Sequence, residues 1–310
     1  MQENKEKTME KIENAKRKIK RVLHVLNPLA GKGKASEIKE ELGENNGVYM
    51  SESMDDASNF IINACKENPD TCFTVYGGDG TVFRAVNALM KSGCADRASL
   101  KIVPVGSGND FVRSFEGKKG EFGVDVMEFN GKYAVNVVNI GFDCEVVRRA
   151  QTLKKKPMVS GKMAYILGVV GEITTKKPID ATITLTYPDG SQEIIEEKIL
   201  LCAVANGKWY GGGFQLAPDA DTGDGLLNVE IIRDISRTKF VGLVGDYKKG
   251  AHIDMETGDV KPKFKDLIYY RKCVAVKIEG CSSVCADGEL FEMDTIDLRV
   301  IPQAINYIID

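Results

Sequence analysis

The sequence has only two histidines, His24 and His252, and neither lies near a plausible partner in sequence. A histidine-based metal site or a Ser-His-Asp triad would need one of them, so both kinds of site are disfavoured. The two histidines are expected to have structural roles. The eight cysteines include no Cys-x-x-Cys pair, which favours a reducing compartment. Cys273, Cys281 and Cys285 make a weak zinc pattern, for which small buried hydrophobic side chains are the favoured interpretation.

The chain also lacks an excess of positive charge and a long apolar run. It has 42 Lys and Arg against 45 Asp and Glu, a net charge of −3 at pH 7, which disfavours a nucleic-acid partner. Its longest nearly apolar run is residues 163–170, whereas a membrane-spanning helix needs about 20 residues. The first residues are charged where a secretory signal would be apolar. The sequence therefore predicts a cytoplasmic protein with no segment that crosses a membrane.

Glycine, in contrast, is abundant. It accounts for 31 of 310 residues, roughly 10% against an average of about 7%. The chain length suits about two domains with ample room for a core, and its apolar and charged fractions of 43% and 28% are close to the globular average. Residues 1–20 form a charged extension, within which residues 5–20 have the spacing of a solvated helix.

After this extension the sequence repeats one pattern three times: a short apolar run, a glycine-rich turn and a helical segment. The apolar runs are residues 21–26, 72–76 and 101–105, and helices are predicted from about residue 36, over 81–91 and over 109–115. Such repeats predict a largely parallel sheet covered by helices. From about residue 122 many of the apolar runs alternate and are separated by turns, which predicts a second, antiparallel β domain.

The three glycine-rich turns follow predicted strands directly. Ligands of a parallel α/β sheet bind beyond the carboxyl ends of its strands, glycine lets main-chain amides approach a ligand closely, and each helix start adds about half a positive charge. One such turn is usually an ordinary βα connection, but three consecutive turns with Asn or Asp alongside predict nucleotide binding. The candidate residues are Asn27, Gly31, Lys32, Gly33, Gly77, Gly78, Gly80, Thr81, Gly106, Ser107, Gly108, Asn109 and Asp110.

These turns do not have the spacing of the commonest phosphate-binding motifs. Residues 31–34 lack the G-x-x-x-x-G-K-[ST] pattern, and no G-x-G-x-x-G fingerprint opens a helix, so P-loop ATPases and Rossmann dehydrogenases are disfavoured. Asp79, between Gly78 and Gly80, can present a carboxylate to Mg²⁺ beside the phosphates. Stabilising the turn is the alternative role of Asp79.

The motifs closely resemble those of the diacylglycerol kinase catalytic-domain family, which includes soluble bacterial lipid kinases related to sphingosine and ceramide kinases. The resemblance extends over nearly the whole chain from Arg21 onward, although NAD kinases share the Gly-Gly-Asp-Gly-Thr block and phosphofructokinases are distant relatives. The motifs that carry it are Asn27-Pro28 with Gly31-Lys32-Gly33, Gly77-Gly78-Asp79-Gly80-Thr81, residues 104–111 (Pro-Val-Gly-Ser-Gly-Asn-Asp-Phe), residues 139–143 (Asn-Ile-Gly-Phe-Asp), Asn206-Gly207 with Gly211-Gly212-Gly213 and Pro218, Asp224-Gly225 with Leu227, and Asp287-Gly288-Glu289.

The resemblance implies an α/β fold with a parallel-sheet nucleotide domain, similar to that of phosphofructokinase and NAD kinase, and a C-terminal antiparallel β-sandwich-like domain. The predicted domains are residues 21–120, to which residues 300–310 return, and residues 121–299, which would bind the lipid. The implied reaction transfers the γ-phosphoryl of ATP, with Mg²⁺, to a lipid hydroxyl. Diacylglycerol is the expected acceptor.

The resemblance also assigns roles to the acidic residues. Glu289 is implied as the base that accepts the proton of the lipid hydroxyl, with Asp287 and Asp79 as the other catalytic candidates. By composition alone, Asp287-Gly288 would be a hairpin turn that Glu289 merely flanks. Asp224, with Asp221, is the candidate metal site, although Gly223 and Asn228 replace acids that relatives usually carry.

Two further features bear on the substrate. Phe83 and Arg84 stand where relatives often have Asn-Glu, so contacts to the nucleotide are expected to differ. A lipid needs an apolar slot, and the candidates for it are Phe142, Met163, Tyr165, Ile166, Leu167 and Val170, for which a place in the core is the alternative. Lys154, Lys155 and Lys156 could hold the protein transiently at the inner face of an anionic membrane, with a solvated loop as the alternative.

Two other functions remain open from the sequence. One is an NAD kinase-like phosphotransferase acting on a soluble acceptor, against which residues 106–111 argue. The other is a nucleotide-binding regulator without activity, which the departures at Phe83, Arg84 and Gly223 favour. The expected partners are ATP, a lipid alcohol and a membrane surface, but not nucleic acid, and a homodimer is left open.

Overall fold

The structure is a computed structural model that describes residues 19, 21–28, 35–43, 46–106, 108–154, 161–172 and 177–310. Several predictions lie outside these residues. They are nearly all of the N-terminal helix over 5–20, the first glycine turn with Gly31, Lys32 and Gly33, Ser107, Lys155 and Lys156, and the side chains of Lys154, Tyr165, Ile166 and Val170.

The described residues form fifteen strands and seven α-helices. The strands are β1 (Arg21–Leu26), β2 (Val48–Met50), β3 (Thr71–Gly77), β4 (Ser99–Pro104), β5 (Gly120–Phe129), β6 (Lys132–Ala134), β7 (Val137–Gly141), β8 (Ile179–Thr186), β9 (Gln192–Ala205), β10 (Leu227–Arg233), β11 (Ile268–Cys273), β12 (Ala275–Glu279), β13 (Ser283–Ala286), β14 (Glu289–Glu292) and β15 (Thr295–Ile309). The helices are α1 (Ala35–Leu42), α2 (Met54–Glu67), α3 (Asp79–Ser92), α4 (Asp110–Arg113), α5 (Phe142–Lys154), α6 (Gly161–Glu172) and α7 (Arg237–Lys248).

The N-terminal part contains a parallel sheet in the order β2-β1-β3-β4. Its central strand β3 is buried over almost its whole length, as a strand covered by helices on both faces must be. α3 turns Val82, Ala85, Val86 and Leu89 into the core because these residues recur at helical spacing. The predicted parallel sheet is confirmed.

Two long strands, β5 and β15, connect this sheet with the rest of the molecule. The end of β15 pairs in parallel with β4, with Tyr307 opposite Leu100, while most of β15 pairs with β5 in the antiparallel sense. The end of the chain thus returns to the first sheet. Val124 packs in the core of the parallel sheet, the first core, and Phe129 packs in the core of the antiparallel strands, the second core, so β5 contributes to both.

The C-terminal part is antiparallel. From β15 the sheet continues as β12-β8-β9-β7-β13-β14, and β10 joins β11 to β9. β8 buries every second residue, the alternation expected of a strand with one face on the core. The predicted antiparallel, β-sandwich-like region is confirmed.

Three helices of this part, α5, α6 and α7, are additional to the strands predicted from the sequence. α5 and α7 contribute to a third apolar core on the outer face of β9 and β10. α7 contributes Phe240, Leu243, Val244 and Tyr247, whose spacing is that of one helix face. α6 is apolar around most of its circumference, so its sequence has no clear helical period. Within the described ranges, no helix is long and apolar enough to cross a membrane.

Candidate active site

The second and third glycine turns meet at the carboxyl ends of β3 and β4. A Cβ atom on Gly106 would lie 2.5 Å from the Cα atom of Gly78, so only glycines allow the two turns to approach this closely. Val105 donates its amide to the Gly77 carbonyl at 3.1 Å. The amino end of α3, which begins at Asp79, is thereby placed beside the third turn and directs its positive dipole end toward it.

Asp79 holds the third turn in place. Its Oδ2 atom accepts the amide of Asn109 and its Oδ1 atom accepts the amide of Asp110, both at 2.9 Å. Asn109 has a left-handed φ of 57°, and its side-chain amide donates to the Gly106 carbonyl at 2.8 Å. Its Oδ1 atom is buried without a hydrogen-bond partner among the described residues. The turns therefore form a cradle with an unused polar atom.

Asn27, from the first turn, lies on a small cavity beside this cradle. The cavity is bordered by Ser51, Met54, Thr81 and Arg84 as well. It lies where β1 and β3 end and α2 and α3 begin. The described part of the first motif is therefore adjacent to Thr81 of the second.

Asp110 connects the cradle to the C-terminal part. Its Oδ2 atom accepts the amide of Gly212 at 2.6 Å, while its Oδ1 atom lies 3.4 Å from the Arg113 guanidinium. Gly211, Gly212 and Gly213 have φ angles of 60°, 78° and 118°. Three successive left-handed residues require glycine, which explains the Gly-Gly-Gly motif.

Glu289 reaches the cradle from the other side. It begins β14, directly after a two-residue hairpin turn in which Asp287 and Gly288 have φ angles of 47° and 88°. Its carboxylate is close enough that a Cβ atom on Gly80 would lie 3.3 Å from Glu289 Oε1. The structure therefore brings together Glu289 and the Gly78–Gly80 turn, which are more than 200 residues apart in sequence.

Asp287 is placed differently from Glu289. Its buried carboxylate accepts the main-chain amides of Val135, Asn136 and Val137 at 2.8, 3.0 and 2.9 Å. Burial raises the pKa of Asp287 to about 6, against the lowering effect of these three amides. Because both oxygens are engaged by the main chain, Asp287 fixes the hairpin that carries Glu289.

Asp221 and Asp224 lie in the loop before β10. Each carboxylate accepts an amide two residues further on, from Gly223 at 3.2 Å and from Leu226 at 2.9 Å. The neighbouring Asp125 is buried and bonds the amides of Gly225 and Gln303, both at 2.7 Å. Burial raises the pKa of Asp125, and the charges of Asp224 and Asp221 raise it further.

These carboxylates do not form a metal site by themselves. Across the part of the chain that the structure describes, no group of three His, Cys, Asp or Glu side chains is arranged to hold a metal ion. A Cβ atom on Gly223 would lie 2.8 Å from the Gly123 carbonyl oxygen, so this loop has no room for an acid there. Asn228 bonds instead to Tyr270 and Asp219, and Lys272 supplies a positive charge 3.0 Å from Asp219.

Phe83 and Arg84, which follow the second motif and differ from the residues of relatives, lie in separate environments. Phe83 is buried in the second core, with its ring centroid 6.1 Å from that of Phe291 on β14. Arg84 borders the small cavity and pairs with the exposed Asp55 at 3.3 Å. Phe83 thus supports the strand that carries Glu289, whereas Arg84 faces the space beside the cradle.

A larger apolar cavity lies in the third core. Phe142 of the predicted slot contributes to its wall. Met163 and Leu167 of that slot are 52% and 44% exposed, because they lie on the outer face of α6. Sequence reasoning missed most of the wall: Tyr210, Phe214, Phe240, Leu243, Val244 and Tyr247. The helical spacing of the α7 residues is the one signal that could have indicated it.

Two family models cover the chain from residue 21 to residue 309. The diacylglycerol kinase catalytic domain matches residues 21–139, and the YegS C-terminal NAD kinase beta sandwich-like domain matches residues 136–309, more than half of the chain. The chain belongs to the diacylglycerol kinase catalytic-domain family. The resemblance seen in the sequence motifs is thereby confirmed.

Relatives match along most of their length. A protein of Mycobacterium tuberculosis named "Diacylglycerol kinase" is 28% identical over 93% of this chain and 94% of its own. A protein of Shewanella frigidimarina named "Probable lipid kinase YegS-like" is 23% identical over 87% and 86%. The crystal structure of a diacylglycerol kinase from Bacillus anthracis covers 95% of this chain and 98% of its own, with 20% identity and a TM-score of 0.67. The structural match shows a shared fold, and the family is one of lipid kinases.

Proposed function

We propose that this kinase transfers the γ-phosphoryl of ATP, with Mg²⁺, to the free hydroxyl of diacylglycerol and so makes phosphatidic acid. The observation that carries the proposal is the approach of Glu289 to Gly80. A carboxylate from one lobe lies against a glycine turn at a helix start of the other. Phosphoryl transfer needs this combination of positioned phosphates and one proton acceptor.

The cradle is suited to the triphosphate. The Gly78 and Gly106 turns expose main chain at a helix start, which favours anions. The nucleoside would occupy the adjacent cavity beside Asn27 and Thr81. Arg84 borders this cavity, so its guanidinium is suited to contact the ribose or the phosphates.

The residues present fit a Mg²⁺ ion that is held mainly by phosphate oxygens. Mg²⁺ commonly uses one or two carboxylates plus substrate phosphates. Asp79, whose two oxygens each accept one amide of the third turn, is the carboxylate that could complete its coordination through a remaining lone pair. When bound, the ion would neutralise charge on the β- and γ-phosphates. Asp221 and Asp224 are not assigned a metal, for the geometric reasons given above.

Glu289 acts as the general base in this proposal. It takes the proton of the lipid hydroxyl as the hydroxyl oxygen forms a bond to the γ-phosphorus. The bond from that phosphorus to the bridging oxygen breaks, and ADP leaves. Asp287 is a positioning residue, since its three main-chain hydrogen bonds fix the turn from which Glu289 projects.

The apolar cavity would receive an acyl chain of the lipid. Pockets for small molecules are lined mainly by apolar side chains, as this cavity is. Next to the cavity, α6 exposes Met163 and Leu167, and α7 exposes Val241 to 60%. Such apolar side chains, with Arg237 and Lys239 exposed on α7, support a transient association with the inner face of an anionic membrane.

Labelled ATP, Mg²⁺ and micellar lipids test the proposal, with the products read by mass spectrometry. We expect label in phosphatidic acid and a loss of about 10²- to 10⁴-fold in rate for Glu289→Gln with unchanged nucleotide affinity. Glu292→Gln is the matched control, because Glu292 is exposed at the other end of β14 and pairs with Arg148 at 3.2 Å. Formation of NADP from NAD, or tight ATP binding without transfer to any alcohol, would contradict the proposal.

A further inference from the structure

The apolar cavity contains a polar group that the proposed reaction does not use. Asp143 borders the cavity, is 3% exposed and has an Oδ2 atom without a hydrogen-bond partner among the described residues. Burial raises its pKa to about 7, against the lowering effect of the neighbouring Tyr210 hydroxyl. Asp143 lies in the first turn of α5, where an acidic side chain interacts favourably with the helix dipole. That interaction does not require burial, so it does not explain why the Oδ2 atom is buried without a partner.

A second unpaired polar atom borders the same cavity. The hydroxyl of Tyr247, on α7, is buried, has the Tyr210 hydroxyl and the Glu230 carboxylate as polar neighbours, and makes no hydrogen bond of good geometry in the described ranges. The remaining wall is almost entirely aliphatic and aromatic. Since buried polar groups are normally hydrogen-bonded, the two atoms together indicate a ligand with a long apolar body and one hydrogen-bonding group.

This polar end of the cavity is connected to the active site. Tyr210 and Phe214, which flank the Gly211–Gly213 turn, both border the cavity, and Gly212 in the middle of that turn bonds Asp110 in the cradle. α5 provides a second link, because the Gln151 side chain lies 3.5 Å from the Gly288 carbonyl. At about 1.5 Å per helical residue, Asp143 is roughly 12 Å along α5 from Gln151.

We propose that Asp143 and Tyr247 bind an ester carbonyl of the lipid and thereby make this kinase select acyl lipids over alkyl ether lipids of equal chain length. The inference rests on the proposed function for the identity of the lipid. The Tyr247 hydroxyl can donate to the carbonyl oxygen, and a protonated Asp143 carboxyl can donate as well. An ether lipid presents no carbonyl and gives neither buried group a hydrogen-bond acceptor.

Lipid binding without ATP tests the inference separately from catalysis. The probe is displacement of a fluorescent fatty acid by 1,2-dioctanoylglycerol or by 1,2-dioctylglycerol, its diether counterpart. We expect the diester to bind about tenfold more tightly, the scale of one buried hydrogen bond. Asp143→Leu should reduce this ratio to about two, Asp143→Asn should retain most of it, and Tyr247→Phe should lower it to an intermediate value. Glu196→Leu, at an exposed position of β9, is the matched control.

The outcomes separate this inference from the proposed function. Equal binding of the two lipids, no binding of either, or a preference that survives both Asp143→Leu and Tyr247→Phe overturns the inference. A preference that depends on Asp143, in a protein that phosphorylates no lipid, supports the inference and contradicts the proposed function. Phosphorylation of both lipids at equal kcat/KM by the unaltered chain overturns the inference alone. Tyr247→Phe keeps the test decisive if Asp143→Leu does not fold.

Discussion

Replacing Gly80 by alanine should raise stability and lower activity at the same time. Gly80 lies in the first turn of α3, where its φ angle is not left-handed, so alanine fits the backbone. In a helix interior alanine is favoured over glycine by about 0.8–1.0 kcal/mol, and we expect about half of that near the helix start. The new methyl group, however, would lie 3.3 Å from Oε1 of Glu289.

That distance determines the expected loss of activity. At 3.3 Å the Glu289 carboxylate must move by a few tenths of an ångström. A misplacement of about 1 Å can cost about 10²-fold in rate, so this shift predicts a loss of about 3- to 10-fold in kcat. The assays are thermal unfolding, which should show a higher Tm, and phosphorylation of diacylglycerol at saturating ATP.

The control is Gly242→Ala, where a Cβ atom would meet nothing within 4 Å. It should raise Tm through helix propensity alone. A Gly80→Ala protein with full kcat would refute the placement of Glu289 as the base beside this turn.

Asp79→Ala should weaken ATP binding at least tenfold and cost about 1–3 kcal/mol of stability, because it leaves the Asn109 and Asp110 amides unpaired; isothermal titration and denaturant unfolding check this. Stability should fall as pH rises from 5 to 8, since the raised pKa values of Asp143, about 7, and Asp287, about 6, mean that the folded state binds more protons. Asp143→Asn should make stability depend less on pH, and an unchanged slope of stability against pH would contradict the raised pKa of Asp143. Mg²⁺ without nucleotide should shift Tm by less than about 1 °C, because the described residues contain no metal cluster, whereas Mg²⁺ with ATP should raise it.

Much of the N-terminal fold follows from local sequence. The runs at 21–26, 72–76 and 101–105 are short, apolar and followed by glycine, and they form β1, β3 and β4 with boundaries shifted by at most two residues. Because parallel strands place their carboxyl ends at one edge of the sheet, the turns at Gly78 and Gly106 were expected to meet. The pattern of strands and glycines was sufficient to predict this contact.

The structure of the C-terminal part was less predictable from the sequence. The alternating runs predicted its strands, but α6 has no clear period and α7 carries glycines at 242 and 245, which weaken a helical pattern. The apolar cavity depends on packing α5 and α7 against β9 and β10. Asp143 was visible as a motif residue, yet its burial against Tyr210 could not be read from any spacing.

The sequence by itself determined the parallel sheet, the glycine turns and the family resemblance, because these depend on residues that are neighbours along the chain. Only the tertiary structure decided that Glu289 lies against Gly80, that Gly212 bonds Asp110 and that Asp143 borders an apolar cavity. Each of these contacts joins separate elements of the fold, the first two across more than 100 residues of sequence. Such contacts are set by the packing of whole strands and helices, for which local periodicity carries no information.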